Sequence, residues 1–127
     1  MHKRYRVIRE DKNEVIGYLY HSGNVWVFEY PDGKKKFNII PRIMDGNEYV
    51  KLRYEAYCGI DDSEGRKMYQ NDEVQNGNAR EKYRIHFLAD VNTFVLFSPR
   101  YGNKRLQPWY EQYLPNLKVV SRLDPIP

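Results

Sequence analysis

The sequence contains only one cysteine, Cys58, in 127 residues. A single thiol excludes an internal disulfide framework and any zinc site built from several cysteines. Long apolar runs are missing as well, because no stretch approaches the ~20 residues that a membrane helix needs. The basic start, MHKRYRVIRED, is followed by no apolar signal core. We therefore expect a cytoplasmic protein that has no membrane partner.

The common motifs of catalysis are also missing. There is no glycine-rich phosphate loop, no G-x-S-x-G elbow and no H-E-x-x-H metal site. None of the three histidines stands at metal-ligand spacing from another histidine or from Cys58. A nucleophilic pair of Cys58 and His86 stays open because such partners meet in space, although a lone cysteine is usually a small buried apolar side chain. We expect a protein that is not an enzyme and that has no metal or cofactor.

What the sequence does contain is a series of short runs with strand character, separated by turn signals. Aromatic residues make up 15% of the chain, and twelve of them are tyrosines. The runs are RYRVIR (4–9), EVIGYLY (14–20), NVWVFEY (24–30), FNII (37–40), EYVKLRY (48–54), KYRIHFL (82–88), TFVLFS (93–98) and LKVVSRL (117–123). This spacing predicts a mainly β fold, a small barrel or sandwich that begins with an antiparallel meander. One short helix is predicted at 108–114, between two prolines.

Charge divides the chain into two parts of different character. Residues 1–54 carry 11 Lys and Arg against 7 Asp and Glu, whereas residues 55–127 carry 10 of each. The net charge of +4 therefore lies in the first part. We predict an N-terminal β-meander subdomain at 1–54 and a second β subdomain at 55–127. The excess charge suggests an anionic partner for the first, although solubility alone explains a value of this size about as well.

An acidic stretch, CGIDDSEGRKMYQNDEV at 58–74, is a candidate for a metal or catalytic site. A calcium loop of the EF-hand type fails here, because placing Gly65 at its sixth position puts Ile60 at its first. A turn explains the pattern better: Asp62 comes first and Gly65 fourth, as a type I turn prefers. Asn71 and Asp72 suit a second sharp bend. We therefore predict that these residues bend the backbone.

The pattern G-I-x-D-x-x-G-R-x-M-Y-x-x-D-x-V resembles the signature of the YopX family of phage and prophage proteins. The resemblance extends over about residues 55–127 and leaves the first part unmatched. The matching residues are Gly59, Asp62, Gly65, Tyr69, Asp72 and Val74. The resemblance implies an SH3-like barrel component in 55–127, with Asp72 and Val74 opening a barrel strand, and a location in the cytoplasm of a bacterial host. It implies no activity, because the family has none established.

Two binding hypotheses follow. In the first, the protein binds a host or phage protein through an aromatic-rich β surface, a role with which self-association is compatible. Tyrosine and tryptophan bury large areas at low entropic cost, and four of them cluster in an apparent insertion. These are Tyr101, Trp109, Tyr110 and Tyr113. The alternative for the same four rings is that they complete the core of a small barrel.

In the second hypothesis, the basic first part binds single-stranded nucleic acid. Cations would follow the phosphates and aromatic rings would stack on bases. The candidate residues are Lys3, Arg4, Arg6, Trp26, Lys34, Lys35 and Lys36. The alternative for the three consecutive lysines is a solvated hairpin end that discourages edge-to-edge pairing of sheets.

Overall fold

Antiparallel β-strands dominate the described part of the chain. The computed structural model describes residues 4–39, 41–77, 82–90, 92–98, 102–105 and 117–121. These residues contain no helix, and the predicted helix at 108–114 lies outside them. None of the described segments forms a helix long and apolar enough for a membrane crossing. The predicted mainly β fold is confirmed.

The chain divides into two compact units, Met1–Tyr57 and Cys58–Pro127. The first seven strands are β1 Arg4–Arg9, β2 Glu14–Ser22, β3 Val25–Glu29, β4 Lys35–Phe37, β5 Met44–Asp45, β6 Glu48–Tyr49 and β7 Leu52–Asp61. The remaining strands are β8 Lys67–Tyr69, β9 Glu73–Asn76, β10 Lys82–Leu88, β11 Thr93–Ser98, β12 Gly102–Arg105 and β13 Leu117–Ser121. Strand β7 begins in the first unit and ends in the second.

The first unit is built on an antiparallel meander, as predicted. Its strands follow the order β4-β3-β2-β1-β7, and each of the first four pairs with its neighbour in sequence. Strand β1 also pairs with β7, while β5 and β6 form a separate two-stranded hairpin. Strand β4 is therefore the edge of this sheet among the described residues.

A buried apolar cluster of the first unit lies on one face of the meander. Val7, Leu19 and Phe28 form this cluster, and Ile16 and Leu52 pack against it. The positions follow from strand alternation, since residues opposite each other in register share a face, as Leu19 and Phe28 do.

The second unit has a sheet in the order β12-β11-β10-β9-β13, and β8 is hydrogen-bonded to β7. Its core contains Met68, Val74, Ile85, Leu96 and Leu117, all at most 1% exposed. The predicted alternation of β10 holds at its centre, because Ile85 is buried while its neighbour Arg84 is exposed. Closure of these strands into an SH3-like barrel stays a prediction.

Two predicted strands have different bounds in the structure. The run at 37–40 was predicted as a strand, but β4 ends at Phe37 because Asn38 takes a positive φ of 57°. The run at 48–54 is divided between β6 and β7. The division arises because Val50 N–H donates to the Ile43 carbonyl at 2.8 Å and closes the short hairpin.

Candidate binding site

The acidic stretch forms a turn that is organised by the Asp62 carboxylate. The Gly65 N–H donates to the Asp62 carbonyl at 3.0 Å, as a four-residue turn requires. Asp62 Oδ1 accepts from the backbone N–H groups of Glu64 and Arg66, both at 2.9 Å. Its Oδ2 accepts from Arg66 Nε and from Val119 N–H, both at 3.0 Å. The predicted turn is confirmed, and its carboxylate also binds strand β13.

These hydrogen bonds favour the ionised form of Asp62. Burial is the largest influence and opposes ionisation, but the N–H groups of Val119, Arg66 and Glu64 together outweigh it. The pKa of Asp62 consequently lies below its ordinary value of 3.8. Three of the four hydrogen bonds that Asp62 accepts come from backbone N–H groups, and the fourth comes from the Arg66 side chain.

The second predicted bend, at Asn71 and Asp72, is also confirmed. Asn71 has a positive φ of 72°, a conformation that asparagine tolerates better than most residues. Asp72 Oδ2 accepts from the Tyr69 N–H at 2.8 Å, and the Asp72 N–H donates to the Tyr69 carbonyl at 3.0 Å. The bend leads into β9, where Val74 is fully buried. No group of three or more acidic, histidine or cysteine side chains in the described part of the chain is placed to hold a metal ion.

The Cys58 thiol is placed in surroundings that oppose nucleophilic chemistry. Burial raises the pKa of the Cys58 thiol to about 12, so the thiol is protonated at neutral pH and is a poor nucleophile. Burial, followed by repulsion from Arg84, lowers the pKa of His86. The His86 ring stacks on Phe97 with 5.1 Å between the ring centres. In the second unit, Cys58 belongs to the core cluster and His86 packs on Phe97.

Several predicted binding residues lie outside the described residues. These are Lys3, Tyr101, Trp109, Tyr110 and Tyr113. Their proposed contacts with a partner stay predictions.

Arg6 is buried in an ion pair and does not contribute to an exposed basic surface. It stands directly opposite Glu55 on the neighbouring strand, and each residue is 1% exposed. Arg6 Nε and Nη2 both donate to Glu55 Oε1, at 2.9 and 2.6 Å. Arg53 Nε lies 3.4 Å from Glu55 Oε2 on the other side. Arg6 therefore holds β1 to β7, and its burial excludes contact with a phosphate chain.

The three consecutive lysines occupy the predicted hairpin end, but they differ in their partners. The Tyr30–Gly33 turn is closed by the Gly33 N–H, which donates to the Tyr30 carbonyl at 2.9 Å. Lys34 Nζ lies 3.9 Å from Asp32 Oδ2, and Lys35 Nζ lies 4.0 Å from Glu29 Oε1. Two of the three charges are thus accompanied by carboxylates.

Trp26 and Arg4, two further candidates for nucleic acid, contact aromatic rings of β2. Trp26 is 37% exposed, and its ring centre lies 4.2 Å from that of His21 in an edge-on arrangement. The Arg4 guanidinium lies 5.1 Å and 4.8 Å from the ring centres of Tyr18 and Tyr20. Both residues are therefore already packed against protein rings, although part of the Trp26 side chain stays exposed to solvent.

The first unit has a cavity beside Tyr30, which we call the Tyr30 cavity. Its volume is about 300 Å³. It is lined by Ile16, Phe28, Tyr30, Lys36, Ile39, Pro41, Arg42 and Ile43. Phe28 and Tyr30 meet edge to face, with 4.9 Å between ring centres, and form an aromatic wall.

Local structure explains why residues after β4 return to this wall. The positive φ of Asn38 turns the chain out of the edge strand, while the Asn38 N–H still donates to the Trp26 carbonyl at 2.8 Å. At the other end, the Ile43 carbonyl accepts from Val50 N–H. Ile39 and Ile43 are thereby held beside the cavity.

Two cations line the Tyr30 cavity, and aromatic rings hold both. Lys36 Nζ lies 5.6 Å from the ring centre of Tyr30, and the Arg42 guanidinium lies 5.4 Å from that of Tyr49. Among the described residues, neither cation has a carboxylate oxygen within 4.0 Å. Tyr49 stands opposite Met44 in the β5–β6 hairpin. An apolar surface therefore continues outward from the cavity through Arg42.

Sequence reasoning included Lys36 but missed the rest of the cavity. The signal that could have found it is the segment IIPRIM at 39–44, an apolar run with one cation and a proline. We interpreted its start as the end of a strand, and that interpretation hid its role as a wall.

No model of a known protein family matches the chain. A search of curated proteins also found no match. The resemblance of Gly59–Val74 to the YopX family accordingly stays an expectation that rests on the motif itself.

Proposed function

We propose that the chain is a non-enzymatic binding protein that holds a partner protein on the surface around the Tyr30 cavity. One observation carries this proposal: in the described part of the chain, every exposed large apolar side chain lies in the first unit. They are Trp26, Phe37, Ile39, Met44, Tyr49 and Tyr54. Exposed apolar side chains beside a concave site are a mark of binding surfaces, and Ile39 of this set lines the Tyr30 cavity.

Three of these side chains belong to the proposed surface. Ile39 lines the cavity, while Tyr49 lies beneath the Arg42 guanidinium and opposite Met44. Tyr49 is 64% exposed. A tyrosine next to an arginine is the composition that binding hot spots favour. The motif at Gly59–Val74 supports the further proposal of a phage or prophage protein that meets a host or phage partner in the bacterial cytoplasm.

The test compares Tyr49→Ala with Phe37→Ala in a capture experiment. Phe37 is a suitable control because it is 61% exposed and stands on the opposite face of β4 from Lys36. Immobilised full-length protein is incubated with bacterial lysate, and captured proteins are quantified by mass spectrometry. We expect Tyr49→Ala to reduce capture of the specific partner about tenfold, and Phe37→Ala to leave it unchanged.

Equal capture by the two variants and the unaltered protein would contradict the proposal. Both side chains are exposed, so each substitution should change the free energy of unfolding by no more than about 0.5 kcal/mol, and a denaturation curve checks this. Self-association through the same surface would appear as a concentration-dependent mass that Tyr49→Ala removes.

Single-stranded nucleic acid is the weaker candidate. Arg6 is buried, and Lys34 and Lys35 have carboxylates beside them, so the described residues of the first unit form no continuous row of cations for a phosphate chain. Binding of a labelled oligonucleotide measured across salt concentrations separates the two functions. A steep fall of log K with log salt would favour nucleic acid, and no binding at low salt would exclude it.

A further inference from the structure

We infer that the Tyr30 cavity takes a peptide segment in which a bulky apolar side chain is flanked by carboxylates. This inference rests on the proposed protein-binding function and specifies the chemistry of the partner. It begins with the apolar lining. Four aliphatic residues and the Phe28–Tyr30 pair surround a volume of about 300 Å³. This is the lower limit for ligand pockets, and it suits one apolar side chain better than a large cofactor.

The two cations of the cavity lining indicate the charge of the ligand. Within the described part of the first unit, Lys34, Lys35, Lys51 and Arg9 each lie near a carboxylate. Lys36 and Arg42 line the cavity, and no carboxylate oxygen of a described residue lies within 4.0 Å of either. Positive charge beside apolar surface is best satisfied by an anion that enters with an apolar group. The carboxylates of the ligand would occupy the positions that the protein leaves open.

A peptide fits this site better than a nucleic acid strand. A phosphate chain needs cations at regular intervals, whereas here two cations border a single apolar cavity. The β5–β6 hairpin beside Arg42 also presents exposed Asp45 and Glu48. These carboxylates would repel a polyanion that continued past Arg42 along the hairpin.

The test uses acetyl-Glu-Glu-Phe-Glu-Glu-amide as the probe and the full-length protein. Binding is followed by calorimetry and by shifts of backbone amide NMR signals. We expect the largest shifts at Ile39, Arg42 and Ile43. Replacing the phenylalanine of the probe by glycine, or all its glutamates by glutamine, should weaken binding about tenfold, the equivalent of a single good anchor or of two charge contacts.

Matched variants identify the cations involved. Lys36→Gln and Arg42→Gln should each raise Kd about threefold, and the double variant about tenfold. Lys34→Gln removes one charge from the same hairpin but none from the cavity lining, and it should leave Kd unchanged. All three positions are exposed, so denaturation curves are expected to coincide.

Three results would overturn the inference: no binding of the probe, an equal effect of Lys34→Gln and Lys36→Gln, or displacement of the probe by oligothymidylate at matched ionic strength. Failure here is distinguishable from failure of the proposed function. If Tyr49→Ala abolishes capture of a protein but the acidic probe does not bind, the surface binds a partner of other chemistry. If the probe binds the cavity but capture is insensitive to Tyr49→Ala, the inference about the cavity holds. The proposal that the wider surface at Tyr49 binds the partner protein is then wrong.

Discussion

At the scale of residues, buried charges act on the backbone and on each other. Glu55 lies between Arg6 and Arg53, and the Arg6–Glu55 pair is fully enclosed. Enclosed ion pairs contribute little net stability compared with apolar side chains, but removal of one partner leaves an uncompensated charge. The pair therefore favours the register Arg6 opposite Glu55 over registers in which these charges would face apolar neighbours.

Asp62→Asn tests the residue that organises the second unit. Asparagine keeps one acceptor oxygen but places an NH₂ group against two donors, Arg66 Nε and the Val119 N–H. We expect a loss of about 2 kcal/mol in the free energy of unfolding at neutral pH. Asp61→Asn is the matched control, because Asp61 is exposed and its ion pair with Lys67 is long, at 3.9 Å. It should cost no more than about 0.5 kcal/mol.

Lowering the pH should reduce the difference in the free energy of unfolding between Asp62→Asn and the unaltered protein. The pKa of Asp62 is lower in the folded state than in the unfolded chain. Its contribution is therefore complete above about pH 3.9 and is lost as the pH falls through the folded-state pKa. Chemical denaturation between neutral and strongly acidic pH measures this. A stability difference that stays constant over the whole range would show that ionisation of Asp62 plays no part.

At the scale of elements, the sequence predicts which segments form strands better than it predicts where those strands end. The bounds of β1, β10 and β11 agree with the predicted runs because each alternates or stays apolar until a turn signal interrupts it. The end of β4 depends on one left-handed asparagine, Asn38, which composition does not distinguish from a strand residue. The apolar run at 39–44 signals only one wall of the cavity, since the rest of its lining comes from separate segments that meet only in the folded sheet.

Gly17→Ala tests the packing of the meander. Gly17 has a φ of +154°, and an added Cβ would lie 2.5 Å from the Glu29 carbonyl oxygen and 2.6 Å from the Phe28 ring. The backbone oxygen cannot move aside without breaking the sheet, so we expect a loss of about 3 kcal/mol from overpacking and strain. Phe28 also forms the aromatic wall of the cavity, and probe binding should weaken as well.

Gly23→Ala is the control for Gly17→Ala. Gly23 also has a positive φ, +61°, but an added Cβ would meet nothing within 4 Å. It should cost only about 1 kcal/mol. Denaturation followed by circular dichroism measures both variants, and equal losses would contradict the packing explanation.

At the scale of the whole molecule, each unit has a core cluster of its own. The cluster around Phe28 contains residues of the first unit, and the cluster around Ile85 contains residues of the second. A separate core is what allows a domain to fold alone. The predicted subdomains at 1–54 and 55–127 stay predictions.

Cys58 offers a chemical test of independence. It is buried in the core cluster of the second unit, and its raised pKa makes alkylation by iodoacetamide slow until that unit opens. If the units open independently, Asp62→Asn should accelerate alkylation about 30-fold, which corresponds to the expected 2 kcal/mol. Gly17→Ala should leave the rate within about twofold. Equal acceleration by both variants would show a single cooperative unit.

The hydrogen bond between Asp62 and Val119 joins positions separated by 57 residues. On a ribosome, the carboxylate that organises the first turn of this unit must wait for β13 before all its donors are present. The meander before it needs only neighbouring strands and β7. From this distribution of local and distant contacts we expect the meander to assemble before the second sheet, and release of the nascent chain before residue 119 would leave the second sheet without β13 at its edge.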